Sequence, residues 1–135
     1  MSRGLKNNNP GNIRKSSIRY LGEARPSQDA AFKQFETMVW GYRAMFVLLD
    51  SYRHRGYRTL RQMISRYAPP VENHTQGYLD FVCSDTGLDP DRPIDTHHAA
   101  TMIPVVAAMS RVENGTEANM ADVTEGWRLF MKHQP

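Results

Sequence analysis

Cysteine is nearly missing from these 135 residues: Cys83 stands alone. One thiol excludes an internal disulfide framework and a cysteine-based zinc cluster. Long apolar runs are missing too. The longest, Ile103 to Met109, falls far short of the ~20 residues that a membrane span needs. The opening MSRGLKNNNPGN has no apolar h-region, which predicts no secretory signal. No glycine loop of the Walker or GxGxxG type occurs. His97 and His98 are adjacent, so on a helix they diverge by ~100° and make a poor metal pair. His54, His74 and His133 are scattered, and neither a metal site nor a cofactor is expected.

What is present fits one globular domain spanning 1–135. Apolar residues make up 40% and charged residues 23%, a balance that supports a core at this length. The net charge is only +3, but it is unevenly spread. The first 28 residues carry Arg3, Lys6, Arg14, Lys15, Arg19 and Arg25 against Glu23. Residues 53–66 add five arginines and no acid, and residues 72–95 reverse the sign. A basic half suits an anionic polymer, whether nucleic acid or cell wall; an ordinary solvated surface would look the same. Nucleic acid is disfavoured as a partner. The arginine-rich helix from Thr59 runs into Pro69-Pro70 and an acidic stretch, with no recognition helix after it.

Periodicity predicts a mostly α chain of about five helices with a minor hairpin at the start. Turn formers crowd Asn7 to Asn12, and Ile18–Leu21 and Ala31–Phe35 are the candidate strands. Tyr42, Met45, Phe46, Leu49 and Tyr52 mark one buried face of a helix from Val39 to His54. Thr59 caps a short helix through Tyr67. Asn73 or Thr75 opens a third, closed by Gly87, with Glu72-Asn73-x-Thr75 read as its cap. Asp95 is expected to cap a fourth, reaching about Glu113, in which Pro104 makes a kink or marks the true first turn. A fifth, about Ala121 to Lys132, buries Val123, Trp127 and Phe130. Cys83, on a helix stripe, is expected in the core.

One carboxylate sits against the pattern. Met102, Val105, Val106 and Met109 precede Glu113 by eleven, eight, seven and four residues, so all share one helix face. Glu113 thus ends an apolar stripe at the negative end of the helix dipole. Both placements favour the protonated form, which is what a general acid at neutral pH requires. The alternative is that the helix frays there and Glu113 faces water.

Four boxes in order resemble a family of bacteriophage and prophage structural or virion-associated proteins. They are Asn8-Asn9-Pro10-Gly11-Asn12-Ile13-Arg14; Phe32-x-x-Phe35 followed by Gly41-x-Arg43-Ala44; Arg66-x-Ala68-Pro69-Pro70-x-Glu72-Asn73-x-Thr75-x-x-Tyr78; and Glu113-Asn114-Gly115. Tyr67 stands where that family has Trp, and Tyr42 where it has Ile. The chain is also distantly similar to the lysozyme-superfamily glucosaminidases and lytic transglycosylases. In those a helix ends in a catalytic Glu, and in the glucosaminidases an Asn-Asn box and a phenylalanine-rich stretch follow. Here the Glu helix comes last, an order that a circular permutation would produce.

The resemblance implies a lysozyme-like fold and an enzyme that cleaves bacterial peptidoglycan between its two amino sugars. It implies no cofactor. Glu113 would protonate the glycosidic oxygen. Glu36 is the first candidate for a second carboxylate and Glu72 the next, although the superfamily's transglycosylases rely mainly on one Glu. Asn8, Asn9, Asn12 and Arg14 would line the sugar groove with Asn114; the same asparagines could instead hold a structural turn. Arg43 is either a partner for a carboxylate or surface, and Tyr78 either stacks on sugar or belongs to the core. A phage setting implies residence in the virion, with other virion proteins as partners, or in the bacterial cytoplasm until lysis. A non-catalytic virion or wall-binding protein of the same fold is the alternative.

Overall fold

The computed structural model describes residues 1–70 and 74–135. Six helices and one two-stranded antiparallel sheet follow in the order α1 (Arg3–Lys6), β1 (Glu23–Ala24), β2 (Gln34–Phe35), α2 (Met38–His54), α3 (Leu60–Tyr67), α4 (Thr75–Thr86), α5 (Ala99–Asn114) and α6 (Met120–Lys132). The chain is therefore mostly helical with a minor hairpin, and the five helices read from periodicity are α2 to α6. None of the described helices is long and apolar enough to cross a membrane.

Local chemistry accounts for the helix bounds. The Thr37 hydroxyl accepts from the Trp40 amide and starts α2. Thr59 and Gln62 form a capping box at α3. Gly87 and Gly115, both left-handed, close α4 and α5. Helix α2 is the centre of the core. Tyr42, Met45, Phe46, Leu49 and Tyr52 are all buried, as their spacing predicts. Helix α6 packs along α2 and brings Val123, Trp127 and Phe130 inward. Phe46 meets Trp127 edge-on at 5.1 Å and stacks on Phe130 at 6.1 Å. Helix α4 packs on α5, and Cys83 lies half-buried against the same core.

Three expectations need correction. A short helix that periodicity did not mark, α1, opens the chain, with the Ser2 hydroxyl accepting from the Leu5 amide at its cap. Ile18–Leu21 is no strand; the sheet pairs Glu23 with Phe35 and Ala24 with Gln34 instead. The reason is Lys33, which is 1% exposed and donates its ammonium to the Ile18 carbonyl (2.8 Å) and to Glu23 Oε1 (3.0 Å). The Ile18 carbonyl is thereby occupied by a side chain rather than a ladder. Asp95 does not cap α5. Its carboxylate accepts from the His97 amide (2.9 Å), and the helix begins four residues later, with His98 at the cap position. Pro104 lies inside α5, the first of the two placements expected for it. Glu72 and Asn73, read as part of the α4 cap, lie outside the described residues.

The segment from Asn7 to Phe35 is held by side chains more than by ladders. Asn9, fully buried, donates to the Ile13 (3.0 Å) and Lys33 (2.9 Å) carbonyls and accepts from the Ile13 amide (2.9 Å). The Asp29 carboxylate receives both Arg3 guanidinium contacts (2.7 Å each), the Asn7 carboxamide and the Ala31 and Phe32 amides. Those donors hold its pKa well below the usual carboxylate range.

Asn9→Ala strands the Ile13 amide and the Lys33 carbonyl in the interior. The expected cost is about 2–5 kcal/mol of folding free energy, read by urea denaturation. A loss under about 1 kcal/mol would contradict this role.

Candidate active site

Glu113 lies in the last turn of α5, one residue before Asn114 and two before the Gly115 cap. The helix does not fray there. Met102, Val105, Val106 and Met109 are fully buried, so Glu113 does end an apolar stripe, and it is itself half-buried.

The amino-terminal box supplies the other wall. Asn8 and Asn12 both have positive φ, 50° and 49°. Asparagine tolerates this left-handed backbone better than most residues, which explains two of the asparagines in the box. The turn aims Asn12 at α5, where its carboxamide nitrogen donates to Glu113 Oε1 at 2.9 Å. Gly11 sits beneath Tyr67, whose hydroxyl donates to the Gly11 carbonyl at 2.6 Å. A Cβ on Gly11 would come within 2.1 Å of that hydroxyl, so only glycine fits.

Two clefts meet at Glu113. One, of about 510 Å³, runs past Asn12, Arg14, Lys15, Tyr20, Tyr52 and Tyr67, with Arg55 and Arg66 on its wall. The other, of about 540 Å³, is bounded by His74, Gly77, Tyr78, Phe81 and Val112. Glu113 is the one carboxylate among the described residues that line either. A chain-like ligand lying along both would cross its carboxyl.

Burial raises the Glu113 pKa above its ordinary value. The Asn12 hydrogen bond, the nearby Tyr78 hydroxyl and the Arg14 charge pull the other way without cancelling it. The Asn12 carboxamide oxygen and the Tyr78 hydroxyl are themselves buried without a well-formed hydrogen bond among the described residues. Two buried, poorly satisfied polar atoms beside one desolvated carboxyl form an unusual concentration of cost. The Tyr78 O–H faces the carboxyl as a donor, which favours the ionised form of Glu113 and limits the rise caused by burial.

The other expected site residues divide sharply. Asn12, Arg14 and Tyr78 reach the clefts. Arg14 also lies over the Phe32 ring at 5.1 Å. Asn8 donates to the Phe35 (3.2 Å) and Glu36 (3.4 Å) carbonyls, and Asn9 is enclosed, so both hold backbone. Asn114 lines neither cleft. Its carboxamide donates to the Pro10 (2.8 Å) and Ser110 (2.9 Å) carbonyls and accepts from the Ser2 hydroxyl (2.6 Å). Arg43 is buried and not at the surface, but it donates to the His133 carbonyl and has no carboxylate partner among the described residues. The Glu36 side chain lines neither cleft. Glu72 lies outside the described residues. No group of three potential metal ligands occurs among the described residues.

Sequence reasoning passed over Tyr52, Arg55, Arg66 and Tyr67 as site residues. The only local signal was the arginine run at 53–66; nothing in it says which members face a cleft.

The raised pKa has a consequence for stability. The folded state keeps the Glu113 proton to higher pH than the unfolded chain does. Stability attributable to this group is therefore intact below about 4.5 and is lost as pH rises toward the folded-state value. Glu113→Gln keeps the shape and removes that loss. The variant is expected to be more stable than the wild type at pH 7 and equal to it near pH 3.5, by thermal melts across pH. A pH-independent difference would contradict this.

No family model matches the chain. It is 35% identical over 119 residues to Protein P5 of Pseudoalteromonas phage PM2, an alignment spanning 85% of this chain and 72% of that protein. At that identity and coverage, with the helical fold described above, the chain belongs to the phage protein family of Protein P5 of phage PM2.

Proposed function

We propose that this protein cleaves the glycan strands of bacterial peptidoglycan, with Glu113 as general acid and then general base. The observation that carries the reading is a desolvated carboxyl with a raised pKa at the meeting point of two clefts. Membership of a phage protein family supplies a setting in which wall cleavage is useful. The lysozyme-like resemblance of the Glu113-Asn114-Gly115 and Asn8–Arg14 boxes points to the same chemistry.

In the first step protonated Glu113 gives its proton to the glycosidic oxygen. The bond from C1 to that oxygen breaks, the electron pair leaves with the oxygen, and positive charge develops at C1. Glu113 is then a carboxylate beside that charge. It takes a proton either from water, whose oxygen adds to C1, or from the muramic acid's own C6 hydroxyl, which closes a 1,6-anhydro ring. In this reading one carboxyl performs both transfers, since Glu113 is the one carboxylate among the described residues that line the clefts and Glu36 lines neither. Asn12 orients the carboxyl through its hydrogen bond. The Tyr78 hydroxyl, buried beside it, limits how far burial raises its pKa. No metal or cofactor takes part in this scheme. Such an enzyme would act from the virion, alongside other virion proteins, or after lysis.

The test is peptidoglycan clearing with mass analysis of the released muropeptides. Glu113→Gln should lower turnover about 100- to 10,000-fold with the fold retained, the range expected for loss of a general acid. An anhydro product identifies the C6 hydroxyl as the attacking group; a reducing end identifies water. Equal activity in both proteins would remove Glu113 from the chemistry. Wall binding without cleavage by either would leave a binding protein in place of an enzyme.

A further inference from the structure

The two clefts that meet at Glu113 differ in charge. The cleft on the Asn12 side is lined by Arg14, Lys15, Arg55 and Arg66, with Glu113 its one carboxylate among the described residues. The cleft on the Tyr78 side has no lysine or arginine among its described lining residues. The two clefts that share Glu113 thus offer different environments, cationic on one side and without lysine or arginine among the described lining residues on the other.

The cationic side is organised. Of the five arginines in residues 53–66, Arg53 faces Asp95 at 3.8 Å and Arg61 meets Asp91 at 2.7 Å. Arg55 and Arg66, the two that line the cleft, have no carboxylate partner among the described residues. Each is held by an aromatic face instead, Arg55 over Tyr52 at 5.2 Å and Arg66 over Tyr57 at 4.9 Å. Arg55 is the cap residue at the end of α2 and Arg66 is in the last turn of α3, where helix ends favour cations. A ring face on one side of the guanidinium leaves N–H donors for a planar acceptor, although Arg55 Nε also donates to the Ser51 carbonyl at 3.4 Å. Asp91 and Asp95 thus pair two of the five arginines, and the two that line the cleft are not among those pairs.

We propose that Arg55 and Arg66 read carboxylates carried by the glycan substrate, so that the cleft on the Asn12 side takes a sugar bearing a carboxylate-containing substituent and the Tyr78 side takes an uncharged sugar. This rests on the peptidoglycan reading above and deepens it. The substrate is an anionic, peptide-substituted glycan and not a neutral polymer of N-acetylglucosamine. The asymmetry also sets the direction in which the strand lies across Glu113.

The test measures binding and so does not need turnover. Glu113→Gln protein, which leaves the wall intact, is titrated onto four solids: purified sacculi stripped of phosphate polymers, the same sacculi with carboxyls converted to neutral amides, sacculi that retain their phosphate polymers, and chitin. Arg55→Gln/Arg66→Gln is made in the same background, and its melting temperature is checked. Affinity for sacculi is expected to fall about tenfold or more on amidation and by a similar factor in the double variant, with no further loss when both changes are combined. Chitin should bind weakly, and equally to both proteins. Binding should weaken as salt rises, because these side chains are exposed. Equal affinity for native and amidated sacculi overturns the proposal, as does an unchanged double variant. Tight binding only to sacculi that retain phosphate polymers would also overturn it. Absence of wall cleavage by the wild type, with the carboxylate dependence intact, would instead sink the catalytic reading and leave this one standing.

Discussion

The site depends on one long-range closure. Residues 2–12 fold onto the last turn of α5, more than a hundred positions away in the chain. The Ser2 hydroxyl donates to Asn114, Asn114 donates to the Pro10 carbonyl, and Asn12 donates to Glu113. Each bond is ordinary in strength. Together they place the amino-terminal turn over a helix end whose last carboxylate would otherwise be hydrated. The helix sets the direction of the Glu113 side chain, and the closure helps take water away from it. Burial is the leading cause of its raised pKa, so the acid is a product of both ends of the chain.

The rest of the fold holds those two parts in position. Helices α2 and α6 make the rigid centre through Phe46, Trp127 and Phe130. Helix α2 also carries Leu48 and Tyr52 to the floor of one cleft, and α4 carries Tyr78 to the other. Asn9 and Asp29 keep the amino-terminal segment folded where little ladder exists to do so. Buried polar groups of this kind destabilise a structure unless every partner is met. Among the described residues three buried side-chain atoms lack a partner: Asn12 Oδ1 and the Tyr78 hydroxyl, both beside Glu113, and Arg43 Nε, which is elsewhere. Local frustration at a point where ligand or solvent enters is a common mark of a functional site.

Features set by neighbours in sequence could be read without coordinates. The apolar spacing of α2, the Thr59 cap of α3 and the Gly87 and Gly115 stops depend on residues within one or two turns. The stripe ending in Glu113 belongs to the same class, which is why the acid could be singled out. Features set by distant partners could not be read. Asn8 and Asn9 look like sugar ligands in sequence, yet their amides are spent on Phe35, Ile13 and Lys33. Asp95 has the chemistry of a helix cap, but its carboxylate accepts from the His97 amide, and the adjacent Thr96 and His97 side chains bond Asp50 across the core. The arginine run gives charge but not direction; two members turn to the acidic loop and two to the cleft.

The protonation state of Glu113 is the point on which the account turns. A carbon-detected NMR titration of the glutamate carboxyls, with the Glu113 signal assigned by its loss in Glu113→Gln, measures it directly. The account predicts a Glu113 midpoint above the ordinary glutamate value of 4.5 and above those of Glu23 and Glu125, whose partners lower theirs. A midpoint at or below 4.5 would mean that Glu113 is a hydrated or ion-paired carboxylate, and the general-acid account would be wrong.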